Sequence, residues 1–491
     1  MNICHVYITM SGTYIPREVL PNDDGTGEEV VTTEAQFSRS LPTEVSVIGV
    51  RTDNIQPTTS VHNSKVLQWH IQSSLNYLIN PKATKVIIEY KIVDQNGNNL
   101  PLTIPGQNNQ NVDNPDARVL PVNGLGSALF KSCEIKVNDK TIAGGSNLYA
   151  FKADIQTRVS NNKEVKDNQL TLQGWYEEEI AWDDLTNAAK DVIFAADDLS
   201  VEAPQLNGFI HRWLNTKGSK RDILVTDVFS DVFNEHVFFP PNASLDVILT
   251  RQDNDKFCLL TDRNEEYKIV IEKAYLEVEM KIMDADFIET KVENMKKGIP
   301  WRASFKHVEM MRYTYGQNLT DLSRYNLFNI NSVSPNRFFV VLLRQNAFNG
   351  DYTLDPFNYT GFNMEHFKYD RTDNNTRHPI VYVNRWDKDY KQAVYNLYKA
   401  VGLNVGPEEA LGITNYNFDR RNFIMGFNLE KNEGATAGVI YDLPDKVVHS
   451  LEIKLKTGLT NPVSMIIYAE FNAEMLIDAY GNVTLKENAL A

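Results

Sequence analysis

The chain has 491 residues, 42% hydrophobic and 23% charged, a composition of folded proteins and a length that suggests roughly two to four domains rather than one core. Its formal charge of -15, from 49 basic and 64 acidic residues, excludes a protein that wraps DNA through its whole surface, because phosphate neutralisation carries that affinity. Cys4, Cys133 and Cys258 are isolated, without zinc or disulfide spacing; no run reaches the roughly 18 apolar residues of a membrane span, and Met1 to Met10 lacks the basic flank of a signal peptide.

Residues 1–60 are irregular in pattern, and the acidic, turn-forming stretch 21–29 reads as an exposed arm. The first convincing strand is 86–93, with Val86, Ile88, Tyr90 and Ile92 on one face and a turn at Asn96-Gly97. Residues 98–118 form a polar excursion. Next, Cys133, Ile135 and Val137 alternate with Glu134 and Lys136, and Asn138-Asp139 ends that strand. A helix is predicted from Asn147, where Leu148, Phe151 and Ile155 share a stripe. Residues 160–220 read mostly as loop.

Strand signals return at 221–225 and 245–249, then strongest at 269–282, where Ala274, Leu276, Val278, Met280 and Ile282 alternate with charged or polar neighbours. The style restarts near 287: apolar strands are expected at 337–343, 423–429, around Leu451, Ile453 and Leu455, and at 464–477. One helix is expected over 390–401, with Tyr390, Val394, Leu397 and Val401 aligned. No strand-helix-strand alternation of a doubly wound enzyme appears. The pattern is all-β, two similar sandwiches or jelly rolls divided near residue 285, with one short helix and long loops in each half.

No catalytic, cofactor-binding or metal-binding residue is expected from the motifs in the chain. The 123–127 stretch, NGLGS, lacks the lysine of a phosphate loop and reads as a turn before a strand. His307-Val308-Glu309 places two ligand types on one strand face but reads as a surface pair. Asp284-Ala285-Asp286 reads as a boundary turn rather than a cation site. The sequons at Asn242, Asn318, Asn358, Asn374 and Asn482 are chance products of an Asn-rich chain.

Several segments carry a more specific likeness. Residues 121–130 (PVNGLGSALF) with 134–138 (EIKVN) resemble the "N-x-x-x-S-L-F … V-x-x-N-G" region of the hexon-type major capsid proteins of polinton (Maverick) elements and adintovirus-like viruses. Residues 147–155 (NLYAFKADI) are similar to the helix that follows in that family. Phe233-Asn234, 245–249, 257–259 and 267–274 continue the likeness, as do 346–352 (NAFNGDY), 355–358 (DPFN) and 466–471 (IIYAEF). The matches run in order from about 80 to 480. Asp139 stands where the family often has Gly, Ala128 departs from Ser-Leu-Phe, and the leader before about 40 has no counterpart.

The resemblance implies a double jelly roll, two tandem eight-stranded units over 61–285 and 286–480, after an arm 1–60 and before a tail 481–491. It implies a non-enzymatic capsid subunit in the virion that forms a homotrimer, a pseudo-hexagonal capsomer. Its expected partners are neighbouring capsomers, a single jelly-roll penton protein and minor or cement proteins, around double-stranded DNA that it does not bind by sequence. The alternatives are a glycan-binding or receptor-binding β-sandwich and a domesticated cellular scaffold. The 98–118, 160–220 and 350–420 excursions are expected to make much of the trimer contact and outer surface. Trp175, Tyr176, Phe357, Tyr359, Phe362 and Phe367 either supply that contact or cap local cores.

Overall fold

The structure is a computed structural model. It describes residues 46–487, except 63, 75, 106–110, 145, 200–202, 236, 329–333, 374–375, 378–380, 385–389, 403–409 and 430–446, together with 6–10 and 13–17. The latter form a hairpin, Val6–Met10 against Thr13–Arg17. Cys4 and the acidic stretch 21–29 lie outside the described residues.

The first half contains eight principal strands: β1 (Val47–Ile55), β2 (Val66–Gln72), β3 (Tyr77–Asp94), β4 (Phe130–Val137), β5 (Lys140–Ala143), β6 (Asp222–Asp227), β7 (Ser244–Arg251) and β8 (Tyr267–Met283). They form two four-stranded sheets, ordered β6-β3-β8-β1 and β5-β4-β7-β2. The pairs β1–β8, β2–β7, β3–β6 and β4–β5 are nested about the middle of the strand sequence. That nesting describes one long antiparallel ribbon folded at its centre and wound into a sandwich, the jelly roll.

Alternation dictates which faces meet. Val86, Ile88, Tyr90 and Ile92 of β3 and Ala274, Leu276, Val278 and Met280 of β8 are buried, and so are Leu67, Trp69 and Ile71 of β2 and Leu245, Val247 and Leu249 of β7. Each Val, Leu, Ile or Met side chain among them contributes roughly 1.5–3 kcal/mol by leaving water. β4 and β5 are joined through Asn138 and Asp139, both at positive φ (48° and 64°), the backbone that a two-residue hairpin turn requires.

A helix, α4 (Ala285–Lys296), spans the point where the sequence pattern restarts. The second half repeats the winding with β9 (Trp301–Tyr315), β10 (Arg337–Arg344), β11 (Met364–Asp373), β12 (Val381–Asn384), β13 (Ile424–Asn428), β14 (Val447–Leu455) and β15 (Val463–Ile477). Here β9–β15, β10–β13 and β11–β12 are nested pairs. The missing second strand is an irregular segment that bridges β14 at Asp321–Lys454 and Arg324–Leu451. Residues 338–343 of β10 are all fully buried because both faces are covered. One side meets the opposite sheet, and α5 (Lys391–Val401) lies close to the sheet at β13, where a Cβ on Gly426 would stand 2.8 Å from the Ala400 Cβ.

The sequence expectations need four corrections. Residues 47–55 are a sheet strand, not part of an irregular arm. The 160–220 region is no plain loop: it holds α2 (Asn187–Ala195) and α3 (Asn207–Thr216), so the first half has more than one helix beyond α1 (Tyr149–Ser160). Phe209, Ile210 and Trp213 of α3 are buried with Trp182, and Phe194 packs against them, as an extension of the chain's continuous core that the polar surroundings disguised. Residues 481–491 are not all tail, since β16 (Val483–Glu487) pairs with β15. Asp284 is the N-cap of α4, accepting from the Asp286 N–H at 2.9 Å, rather than a simple turn residue.

Among the described residues, no ladder joins 47–283 to 301–487. Because strand direction alternates within each ribbon, the connections β3–β4, β5–β6 and β7–β8 leave from one end. Their second-half counterparts leave from that end too, for the Thr261 N–H donates to the Tyr352 carbonyl (3.1 Å) and the Lys163 N–H to the Ala410 carbonyl (2.9 Å).

Candidate functional site

Where those excursions meet, the chain buries a knot of charge. Glu178 sits between two guanidiniums, Arg212 of α3 and Arg421 of the loop before β13. Arg421 Nε also donates to Asp355 at 2.8 Å, and the Asp355 Oδ1 accepts the Phe357 N–H at 2.9 Å. Glu178, Asp355, Arg212 and Arg421 keep side-chain exposures of 1–2%, so water screens none of these pairs. From α1, Arg158 pairs with Asp154 (2.8 Å) and reaches across to Asn422 Oδ1 (2.6 Å) and the Arg421 carbonyl (3.0 Å). Lys166 donates to the Arg158 and Leu411 carbonyls at 2.7 and 2.8 Å. Asp183 accepts from Asn358 at 2.8 Å.

Electrostatics shows what this knot is for. Burial pushes the Glu178 carboxyl up despite Arg212 and Arg421, and burial with Asp355 nearby pushes Asp183 up. Burial lowers Lys166 to about 8. Burial opposes the charge on Arg421, but Asp355 and Glu178 outweigh it and hold its pKa above the usual value. A desolvated ion cluster of this kind adds little net stability, and its main effect is directional: each fork fits only one placement of its partners. It therefore fixes how the excursions of one half sit on those of the other.

The glycine-rich turn belongs to the same assembly. Asn123 Nδ2 donates to the Tyr176 carbonyl (2.6 Å), and its Oδ1 accepts the Tyr176 N–H (2.7 Å), as a neighbouring strand would. A Cβ on Gly126 would stand 2.8 Å from the Thr226 Cβ of β6, so close approach explains that glycine. The turn continues into a helical turn, Leu125–Ala128, before β4.

A second junction lies nearer the middle of the rolls. Asp231, 1% exposed, pairs with Lys152 of α1, accepts from His307 Nδ1 (2.8 Å) and takes the Val308 N–H of the β9 edge (3.2 Å). Burial alone would raise Asp231, but Lys152 and His307 hold its carboxyl below the ordinary range. Trp301 Nε1 donates to the Phe238 carbonyl at 2.9 Å and Asn138 Nδ2 to the Gly481 carbonyl at 2.8 Å.

His307 and Glu309 do pair, Nε2 to Oε1 at 4.0 Å, but not on an open surface. His307 Nδ1 is committed to Asp231 across the halves, in a cleft of about 420 Å³ with Cys133, Tyr149, Lys152, Asp231 and Glu309. No group of three or more His, Cys, Asp or Glu side chains is placed to hold a metal among the described residues. The excursion aromatics divide unequally. Trp175, Phe357, Tyr359 and Phe367 are buried within the chain and cap its own cores, while Tyr176 and Phe362 are half-buried. Sequence pattern gave no sign of the knot, because Glu178, Asp355 and Arg421 are far apart in the chain and each looks like ordinary loop charge.

No family model matches the chain. It is similar to an uncharacterized protein of Caenorhabditis elegans, 22% identical over 433 residues, which covers 84% of this chain and 90% of that protein. Among solved structures it superposes on a chain of the Sputnik virophage with a TM-score of 0.59 at 13% identity, covering 98% of this chain and 96% of that one. The mavirus major capsid protein gives a TM-score of 0.52 at 9% identity, with 94% of each chain covered. These likenesses identify the fold as the double jelly roll.

Proposed function

We propose that the chain is a non-enzymatic major capsid protein of the hexon type, related to those of polinton elements and adintovirus-like viruses. Three copies form a pseudo-hexagonal capsomer, and many capsomers tile an icosahedral shell around double-stranded DNA in the virion. The observation that carries this reading is the repeated ribbon winding, superposable on virophage chains over nearly the whole length of both proteins. Two rolls per chain give three copies six similar lobes, and a repeated head-to-tail contact closes such a ring. The buried charge knot supports it: a tile whose two halves could swing would not keep a fixed outline. Neighbouring capsomers, a single jelly-roll penton protein and cement-type proteins are the expected partners. The net charge of -15 argues against tight wrapping of DNA.

The test is mass measurement and negative-stain microscopy of the purified chain. Hexagonal particles near 168 kDa, three times 56.0 kDa, or closed shells are expected. Stable monomers at every salt concentration would overturn the reading. The nematode relative favours a second reading, a capsid-derived scaffold encoded by a cellular genome. Nuclease-resistant DNA inside particles from the native source separates a packaging shell from such a scaffold.

A further inference from the structure

A cavity of about 260 Å³ opens beside β6, the edge strand of its sheet, at the end of the first half where the excursions emerge. Pro121, Leu125 and Leu224 line its apolar wall. Leu172 and Ile223 also line it with 58% and 59% of their surfaces in water, two large exposed apolar residues at one cavity. Arg212 also lines it, 2% exposed, and its Nη1 finds no acceptor among the described residues although Nη2 is held by Glu178 and Nε by the Gly208 carbonyl. A buried guanidinium N–H without an acceptor is costly, so an oxygen arriving there is favoured. Asp222, half-buried in the same wall, brings a carboxylate. The cavity therefore suits a side chain with a flat apolar body and a hydroxyl tip.

The same chain carries such a group at the same end. Tyr416, in the connection between β12 and β13 of the second half, is 69% exposed, and Arg420 lies over its ring at 4.3 Å with Nη1 donating to its hydroxyl at 2.9 Å. Of the three other strongly exposed tyrosines among the described residues, Tyr325 and Tyr480 belong to the opposite end by strand direction, and Tyr395 lies on α5 in the same connection. Tyr416 is singled out by the Arg420 cation it carries, which a carboxylate-bearing socket complements. A closed ring of identical chains needs a heterologous contact, first half of one copy against second half of the next, at matching height.

We propose that this cavity is a socket between copies, filled by Tyr416 of the neighbouring copy. The ring enters between Leu172 and Ile223, its hydroxyl accepts from Arg212 Nη1, and Arg420 of that neighbour faces Asp222. The charges are complementary, cation on the knob and carboxylate in the socket. This rests on the trimer reading above and adds its contact.

The experiment begins with the mass of the unmodified protein and then oxidises the double variant Leu172→Cys, Tyr416→Cys. If the unmodified protein is trimeric and the double variant runs as covalent multimers in denaturing gels, with Leu172→Cys alone giving none, the socket stands. A trimer in which the pair fails to link overturns the socket and leaves the trimer reading intact; a monomeric unmodified protein overturns both. Ile223→Arg, an exposed position that folding does not need, is expected to lower trimer content at least ~10-fold at fixed concentration, whereas full trimer content would refute the contact.

Discussion

Replacing Arg421 by Met isolates the energetics of the charge knot. The side chain is 2% exposed and forms ion pairs with both Asp355 and Glu178. Methionine occupies much of the same space but removes the cation. Glu178 keeps Arg212 and Asn123, whereas among the described residues the Asp355 carboxylate keeps the Phe357 N–H alone, on Oδ1. Breaking a buried pair so that one charge is stranded costs about 3–5 kcal/mol. Because Glu178 remains partnered, the lower end, about 3 kcal/mol, is expected. Three of the six tryptophans, Trp175, Trp182 and Trp213, are buried in the 160–220 excursion. Urea denaturation followed by tryptophan fluorescence should therefore shift to lower urea, ahead of the sheet signal in far-ultraviolet circular dichroism. Arg421→Lys retains charge but loses the fork and should fall between. The double variant Arg421→Met, Asp355→Leu should recover part of the loss, since an apolar pair strands one charge fewer. An Arg421→Met protein within about 0.5 kcal/mol of wild type would refute the reasoning.

Three further outcomes follow from other sites. Asp231→Ala strands the Lys152 cation and the Val308 N–H, so a loss of about 3 kcal/mol or more is expected in urea titrations, and a neutral substitution would remove the junction's assigned weight. His449 is buried between Tyr369 (2.6 Å) and Ser334 (3.1 Å), and burial with Arg371 nearby pushes its pKa down to about 3. The folded state thus binds this proton less readily than the unfolded state, so its contribution is full above about pH 6.5 and is lost as pH falls toward 3. From pH 7 to 5 that is at most about 2 kcal/mol, and His449→Gln should flatten the dependence; an unchanged slope would sink the assignment. Asp139 holds a left-handed backbone, φ 64°, in the β4–β5 turn, so Asp139→Gly should raise the melting temperature through about 0.5–1 kcal/mol, and a lowered one would contradict the turn assignment.

The fold was legible wherever one face of a strand is buried and the other wet. In β3 and β8 a period of two follows directly from that asymmetry, and 86–93 and 269–282 stood out for this reason. Residues 47–55 did not, because Ile48 and Val50 of that edge strand stay exposed and Gly49 interrupts the alternation. The helices of 160–220 were hidden for a related reason: α3 alternates Phe209, Ile210 and Trp213 with His211 and Arg212 over few turns, and the Arg212 charge points inward to Glu178. α1 was found from Leu148, Phe151 and Ile155, but its buried Lys152, Asp154 and Arg158 gave no warning that it is a strut between the halves.

Taken alone, the sequence determined the local facts: strands with one dry face, two stretches of similar style, a restart near 285, and an acidic balance. These depend on neighbours along the chain, so composition and periodicity reach them. The nesting of β1 with β8, the partners of Glu178, the commitment of His307 to Asp231 and the cavity beside Ile223 depend on residues brought together from distances of tens to hundreds of positions. A charge in a loop looks the same in sequence whether it ends in water or in a buried knot. Only the closing of the two ribbons decides which, because desolvation and pairing are properties of the assembled interior rather than of the residue.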